Sequence, residues 1–271
     1  MTPRPFLTLV LLSCVLHLGL PWRAGAQVEA FRFDSTRVPV GRLYEYLKSN
    51  RDGTHPGQVS LYVAGIDRIE SLKWAAGDTI ATLVVALLDW NRFSARRLES
   101  WVLTRGSAPR LRGTLGTDSG GTGVRVSFQP ESLIVIHRWP WHSYDFDFAS
   151  LNLAMVHLLA PEGQFRFERA DVTYAEKGPP FADLGPVHVR FLRREQRQGR
   201  PTRLYQLEGP GLQNQRGVLW AATDGAYLVE YEFPFPDEPG YTDVRFQLRE
   251  LRSLSPADWE AYKQERVKGR P

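Results

Sequence analysis

A mainly β protein with antiparallel strands and two helices is what this sequence predicts. Three observations lead there. From Leu43 onward apolar and polar residues alternate with a period of two, residues suited to tight turns interrupt that alternation at hairpin intervals, and only two segments carry helical spacing.

The first residues read as a targeting segment rather than as part of the fold. One early cation, Arg4, precedes an apolar run from Phe6 to Leu20, and Ala24 and Ala26 give a small-x-small cleavage pattern. Cleavage is expected after Ala26, so that residues 1–26 are a signal peptide and residues 27–271 form a single domain, periplasmic or secreted. The run is shorter than the about 20 residues a membrane span needs, and the longest later apolar stretch, Ile80 to Leu88, stops at Asp89. No transmembrane span is therefore expected in the mature chain. Cys14 is the only cysteine and lies within the apolar run, so the mature protein has to be stable without disulfides. Leu11-Leu12-Ser13-Cys14 also offers a lipidation site at Cys14; the apolar run that continues to Leu20 weighs against it.

Removing residues 1–26 takes away Arg4 and Arg23 and no acid, which leaves 32 basic side chains against 30 acidic ones. The charge is close to balanced, and its cations are not clustered as a nucleic-acid binder would cluster them.

Along the mature chain the alternation is clearest in five runs. Val124, Val126 and Phe128 alternate with Arg125 and Ser127; Phe165 and Phe167 flank Arg166; Val187, Val189 and Phe191 flank His188 and Arg190. Tyr227, Val229, Tyr231 and Phe233 enclose Glu230 and Glu232, and Val244, Phe246 and Leu248 enclose Arg245 and Gln247. Strands wetted on one side are antiparallel far more often than parallel. Turn residues separate them at Asn50-Arg51-Asp52-Gly53, Asp89-Trp90-Asn91, Thr117 to Gly121, Gln198-Gly199 and Asp224-Gly225, so a meander of ten or more strands follows. Between Asp147 and Leu159, residues Leu151, Ala154, Met155 and Leu158 sit at helical spacing before Pro161 and Gly163. Ser255-Pro256-Ala257-Asp258 combines a capping serine, a proline at the first helical position and an acid three residues after the cap, which starts a C-terminal helix reaching about Val267.

The motifs that suggest chemistry have plainer explanations. Asp118-Ser119-Gly120-Gly121 resembles the nucleophile box of chymotrypsin-like proteases, yet His55, the upstream histidine, lies in a Gly-Thr-His-Pro-Gly turn without the surroundings that mechanism needs. His137, His142, Asp145 and Asp147 could supply metal ligands but match no standard spacing, with His142 read as part of a loop. The paired acids Glu230 and Glu232 read as solvated strand positions, and no phosphate loop or dinucleotide fingerprint is present. No catalytic residue, metal or cofactor is expected. Trp74, Trp101, Trp139, Trp141 and Trp220 lie on or beside strands, where they can fill a core or line an apolar concavity.

Taken in order, the signal peptide, the Asp89-Trp90-Asn91-Arg92-Phe93-Ser94 turn, the segment Tyr144 to Leu151, and Gly217-Val218-Leu219-Trp220 followed by Asp224-Gly225 and Tyr227 to Tyr231 form a recognisable series. The chain over about residues 40–252 resembles bacterial periplasmic proteins of unknown function near the lipoprotein-carrier (LolA-like) half-barrels. That resemblance implies a large curved antiparallel sheet, a half-barrel, wrapped around an internal helix, with an apolar concavity that holds lipid or acyl chains in relatives. The expected function is non-enzymatic: binding or carrying an apolar ligand in the concavity. Its expected lining is Trp101, Val126, Phe128, Phe148, Leu151, Met155, Leu158, Phe165, Phe167, Val189, Phe191 and Trp220. The competing expectation is a structural or assembly factor of the cell envelope that binds another protein through its outer face or edge strands.

Overall fold

The computed structural model describes residues 30–75, 79–118, 123–127, 132–136, 138–143, 146–173, 179–236 and 240–268; the expected signal peptide of residues 1–26, Phe128, His137 and Asp145 lie outside them. Two meanders make the molecule. The first runs through β1 (Arg42–Ser49), β2 (Gly57–Gly65), β3 (Arg68–Ala75), β4 (Ile80–Asp89), β5 (Ser94–Thr104), β6 (Arg110–Thr117), β7 (Gly123–Ser127) and β8 (Ser132–Val135). The second runs through β9 (Trp141–His142), β10 (Gln164–Val172), β11 (Phe181–Arg197), β12 (Arg200–Glu208), β13 (Gly217–Ala222), β14 (Leu228–Phe233) and β15 (Val244–Ser253).

The meanders join edge to edge into one 15-stranded sheet, because β15 returns to pair with β1 from Arg42 opposite Ser253 to Ser49 opposite Arg245. Every neighbouring pair is antiparallel except β9 with β10, where Trp141 lies opposite Glu168 in a parallel pairing. The turns follow their chemistry. Gln198 and Gly199, between β11 and β12, both take positive φ (52° and 71°), as the tight primed hairpin turns require. At the β6–β7 turn the Asp118 carboxylate accepts from the Gly123 N–H at 3.1 Å, while Ser119, Gly120 and Gly121 of the protease-like box lie outside the described residues.

The first meander ends at β8 on one edge of the sheet and the second begins at β9 on the other, with only residues 136–140 between them, so the sheet curls until its edges approach; the Trp141 N–H at the start of β9 donates to the Ser94 hydroxyl on β5 at 2.9 Å. The internal helix lies in the following connection, from β9 to β10, which carries α1 (Ala149–Ala154) and a 3-10 turn (Met155–His157), a shorter helix than the 147–159 that sequence spacing predicts. Every residue of α1 is buried. Asn152 ties it to both meanders: its Nδ2 donates to the Tyr46 hydroxyl at 3.0 Å, and its Oδ1 accepts the Leu228 N–H at 2.8 Å. Phe148, at the start of the helix, meets Phe167, Tyr231 and Phe233 edge-on with ring centroids 5.6–6.3 Å apart. Bulges in seven of the antiparallel pairings, from Glu45/Tyr46 to Trp220/Ala221, help curl so long a sheet around this core.

The outer face holds a second, smaller core. α2 (Pro256–Lys268) starts with the expected capping box: the Asp258 N–H donates to Ser255 Oγ at 3.2 Å, and Ser255 N–H donates back to the Asp258 carboxylate at 3.3 Å. The helix then lies over Leu43, Tyr62, Leu72, Leu83, Val85 and Leu103. Trp259 stacks on Tyr62 at 4.9 Å and donates its indole N–H to Glu70 at 2.7 Å, while the Tyr262 and Ser60 hydroxyls share a hydrogen bond of 2.8 Å. The outer face is charged at Arg125 and Arg190, but under α2 the same face is apolar.

The paired acids are a second correction. Glu230 is fully buried rather than solvated, and it accepts from Arg197 at 2.6 and 2.8 Å, Gln198 at 2.9 Å and Arg245 at 2.8 Å. Burial works against its charge, but these donors hold the carboxyl well below the ordinary range.

Trp259→Ala is expected to cost about 3–5 kcal/mol in urea unfolding, because it removes a large buried ring and one of the donors on buried Glu70. Circular dichroism of the folded variant should keep the full β signal, since the inner core is untouched.

Candidate functional site

The inner face is not filled along its whole length. Beside α1 the core is closed. Toward one end of the sheet, where β1 and β3 finish and β2 and β4 begin, a cavity of about 830 Å³ remains, within the size range of ligand sites. Its walls come from eight strands and from the segment entering α1: Val59, Val84, Leu98, Leu115, Phe146 and Phe181 supply apolar surface. Gln58, Thr79, Thr82, Ser100 and Thr173 add polar groups, and Trp74 and Tyr241 supply rings.

Alternation explains this lining. Val84 pairs with Ser100, which pairs with Gly113, so all three point inward, whereas Leu83 and Trp101 pair one residue along and point outward. Glycine at position 113 leaves room that a side chain would occupy.

Three cations reach the cavity, and among the described lining residues there is no Asp or Glu. Lys73 pairs with Asp147 at 2.8 Å, and Lys48, also 5.0 Å above the Tyr241 ring, lies 4.0 Å from the same carboxylate. Asp147 is fully buried and, with Phe148, takes a left-handed backbone (φ 53° and 49°) that a non-glycine residue adopts at a cost. The aromatic socket of Phe148 and the two ammonium groups around Asp147 offset that cost. Asp147, read from sequence as a metal candidate or helix-entry acid, is thus an internal counter-ion.

Arg112 is placed by an irregularity. Ser100 lies opposite Gly113 and Trp101 opposite Leu111, which leaves Arg112 as the extra residue of a bulge in β6, lining the cavity. It is exposed and has no ion-pair partner among the described residues.

Most residues expected to line a ligand space lie elsewhere. Val126, Phe148, Leu151, Met155, Leu158, Phe165, Phe167 and Val189 are packed into the inner core, and none of them lines the cavity. Phe191 is half-buried at the edge of that core, 6.0 Å from Tyr205; Phe128 lies outside the described residues. Trp101 and Trp220 face the other way. Trp101 joins the residues under α2 and lines an outer groove of about 680 Å³. Trp220 lies opposite Leu204 and Glu230, donates its indole N–H to Glu195 at 2.5 Å, and carries the Arg197 guanidinium 4.1 Å over its ring.

The outer groove is the weaker candidate. At its floor Glu70 already holds Arg68 at 2.8 Å and Lys263 at 3.0 Å. A second polar cluster is sealed. His142, which belongs to β9 rather than to a loop, has its Nδ1 2.8 Å from Ser150 Oγ, and burial lowers it to about 3, too weak a base to take a serine proton at neutral pH.

No protein-family model matches the sequence, and no curated protein matches it. Several solved structures are similar, two of which illustrate the likeness. One, described as an outer membrane lipoprotein-sorting protein domain from Vibrio parahaemolyticus, shares 9% identity over 85% of this chain and 94% of its own, with a TM-score of 0.31. The other, a LolA superfamily protein from Nitrosomonas europaea, shares 11% identity over 86% of this chain and 92% of its own, with a TM-score of 0.28. Both descriptions name the group that the sequence resembles. The likeness is distant and concerns the fold.

Two buried histidines predict the acid response. Burial lowers His142 to about 3 and, together with nearby Arg37, His157 to about 4, against about 6.5 in an unfolded chain. Both are neutral when folded, so their stabilising effect is complete above about pH 6.5 and is lost as pH falls toward those lower values. Stability measured by urea unfolding should decline from pH 6.5 downward, and His142→Gln should make the slope shallower by about 1.4 kcal/mol per pH unit.

Proposed function

We propose that this is an exported, non-catalytic protein that binds or carries an apolar ligand, a lipid or the acyl chain of a lipoprotein, in the cavity at the end of its half-barrel. The observation that carries this reading is the unfilled space itself. The rest of the inner face is packed with large rings, yet here Val59, Val84, Leu98, Leu115, Phe146 and Phe181 surround about 830 Å³. A wall of that kind gains roughly 25 cal/mol for each Å² of apolar ligand surface it removes from water. The Ala24-x-Ala26 pattern supports export to the periplasm. Residues 27–271 are read as one domain, and Phe148, Leu151, Met155 and Phe167 as rigid backing that keeps the cavity open rather than as ligand contacts. No helix among the described residues is long and apolar enough to cross a membrane.

One observation favours the alternative of an envelope factor that binds another protein: β8 ends the sheet on one side and leaves Leu133 and Val135 half exposed.

Solvent extraction and native mass spectrometry of protein from an envelope fraction decide between the two. A co-purifying hydrophobic molecule supports the carrier; a stoichiometric protein with no such molecule supports the envelope factor. The exported form should begin at Gln27.

Two tryptophan substitutions test the location. Leu115→Trp should abolish uptake of an apolar fluorescent probe with little change in thermal midpoint, since its ring enters open space. Met155→Trp should instead cost about 1–3 kcal/mol, because Met155 sits in filled core.

A further inference from the structure

We propose that the ligand of this cavity is an amphiphile with an acidic head, a long-chain carboxylate or phosphate ester, whose anionic oxygens meet Lys73 and Arg112 while its chain runs against the apolar wall. The proposal rests on the carrier reading and adds the chemical class of what is carried.

Three features point to it. The charged side chains that line the cavity are Lys48, Lys73 and Arg112, all cationic, with no carboxylate among the described lining residues. A neutral hydrocarbon or triacylglycerol would gain nothing from them. Next, polar and apolar lining are segregated: Lys73, Gln58, Thr79 and Arg112 lie toward the end of the sheet, while Val84, Leu98, Phe146 and Phe181 are buried. An amphiphile has that same division.

The bulge in β6 is the third feature. A regular β5–β6 pairing would give each residue a partner; here Arg112 is inserted between Gly113 and Leu111 and brought to the cavity wall. Bulges gather next to sites because they re-aim one side chain without disturbing the rest of a strand. Arginine offers an acidic head a planar fork of N–H donors, matched to carboxylate or phosphate oxygens. Lys73 would add a point charge already oriented by its 2.8 Å contact with Asp147. Asp147 keeps this cation in place when the site is empty.

Binding of oleate, of oleyl alcohol, and of phosphatidylglycerol against phosphatidylcholine, each displacing an apolar fluorescent probe from delipidated protein at low salt, tests the idea. Oleate or phosphatidylglycerol should bind about ten- to a hundredfold more tightly than its uncharged or zwitterionic counterpart, as one charge-assisted contact implies. Whichever acid shows the preference identifies the head as carboxylate or phosphate. Arg112→Gln should shrink the preference without altering thermal stability, because Arg112 is exposed; Lys73→Gln should shrink it as well, at some cost in stability.

Equal binding of acid and neutral partners would overturn the acidic-head proposal while leaving the carrier reading intact. An unchanged preference in Arg112→Gln and Lys73→Gln would overturn the assigned cations. No binding of the probe or of any lipid would remove the carrier reading itself.

Discussion

Asn152 is the point on which the two halves of this molecule meet. Its amide donates to Tyr46 on β1 and accepts from Leu228 on β14, so one side chain on the internal helix fixes both meanders relative to it. A buried amide without these partners would cost more than the bonds are worth, which makes the helix position all but obligatory once the strands are paired. The constraint behind it is topological. With β1 and β15 sharing a ladder, β8 and β9 become the two edges of the sheet, and because only residues 136–140 separate them the sheet has to curl until those edges approach; α1 follows in the β9–β10 connection, inside the curl. That curl determines where the core closes and where a cavity is left.

The cavity combines features usually kept apart. Its counter-ion, Asp147, sits in a left-handed turn that aromatic packing stabilises, and it places two lysines at the border between apolar wall and open end. Burying these charges costs several kcal/mol per ion unless they are paired, so Asp147 and Lys73 depend on one another. The same logic governs Glu230, whose charge is kept by Arg197, Arg245 and Gln198 in the middle of the second meander. Both clusters lie where a purely apolar core would also have folded, but only the first adjoins open space.

Parity is where the sequence was hardest to read. Trp101 and Trp220 look like inner residues by their size, yet the register with Leu83 and with Glu230 puts them outside. Bulges at Ser100/Trp101 and Trp220/Ala221 break the two-residue count at these positions, and no local signal announces them. The apolar outer stripe of Leu43, Tyr62, Leu72 and Leu83 was legible as alternation, but nothing nearby in sequence said that a helix more than 170 residues later would cover it. Arg112 and Lys73 carried no motif; each matters only because eight strands converge on one space.

What the sequence determined by itself is local: strand class from alternation, hairpins such as Gln198-Gly199 from turn chemistry, and the start of α2 from its Ser255–Asp258 box. These depend on interactions within a few residues, so they can be read from one segment at a time. Which of two apolar faces became the inside, how far α1 filled it, and which cations reached the remaining cavity were decided by tertiary structure. Those outcomes depend on register, bulges and the short link between the sheet edges, and a strand covered on both faces carries no mark of which face will enclose the core.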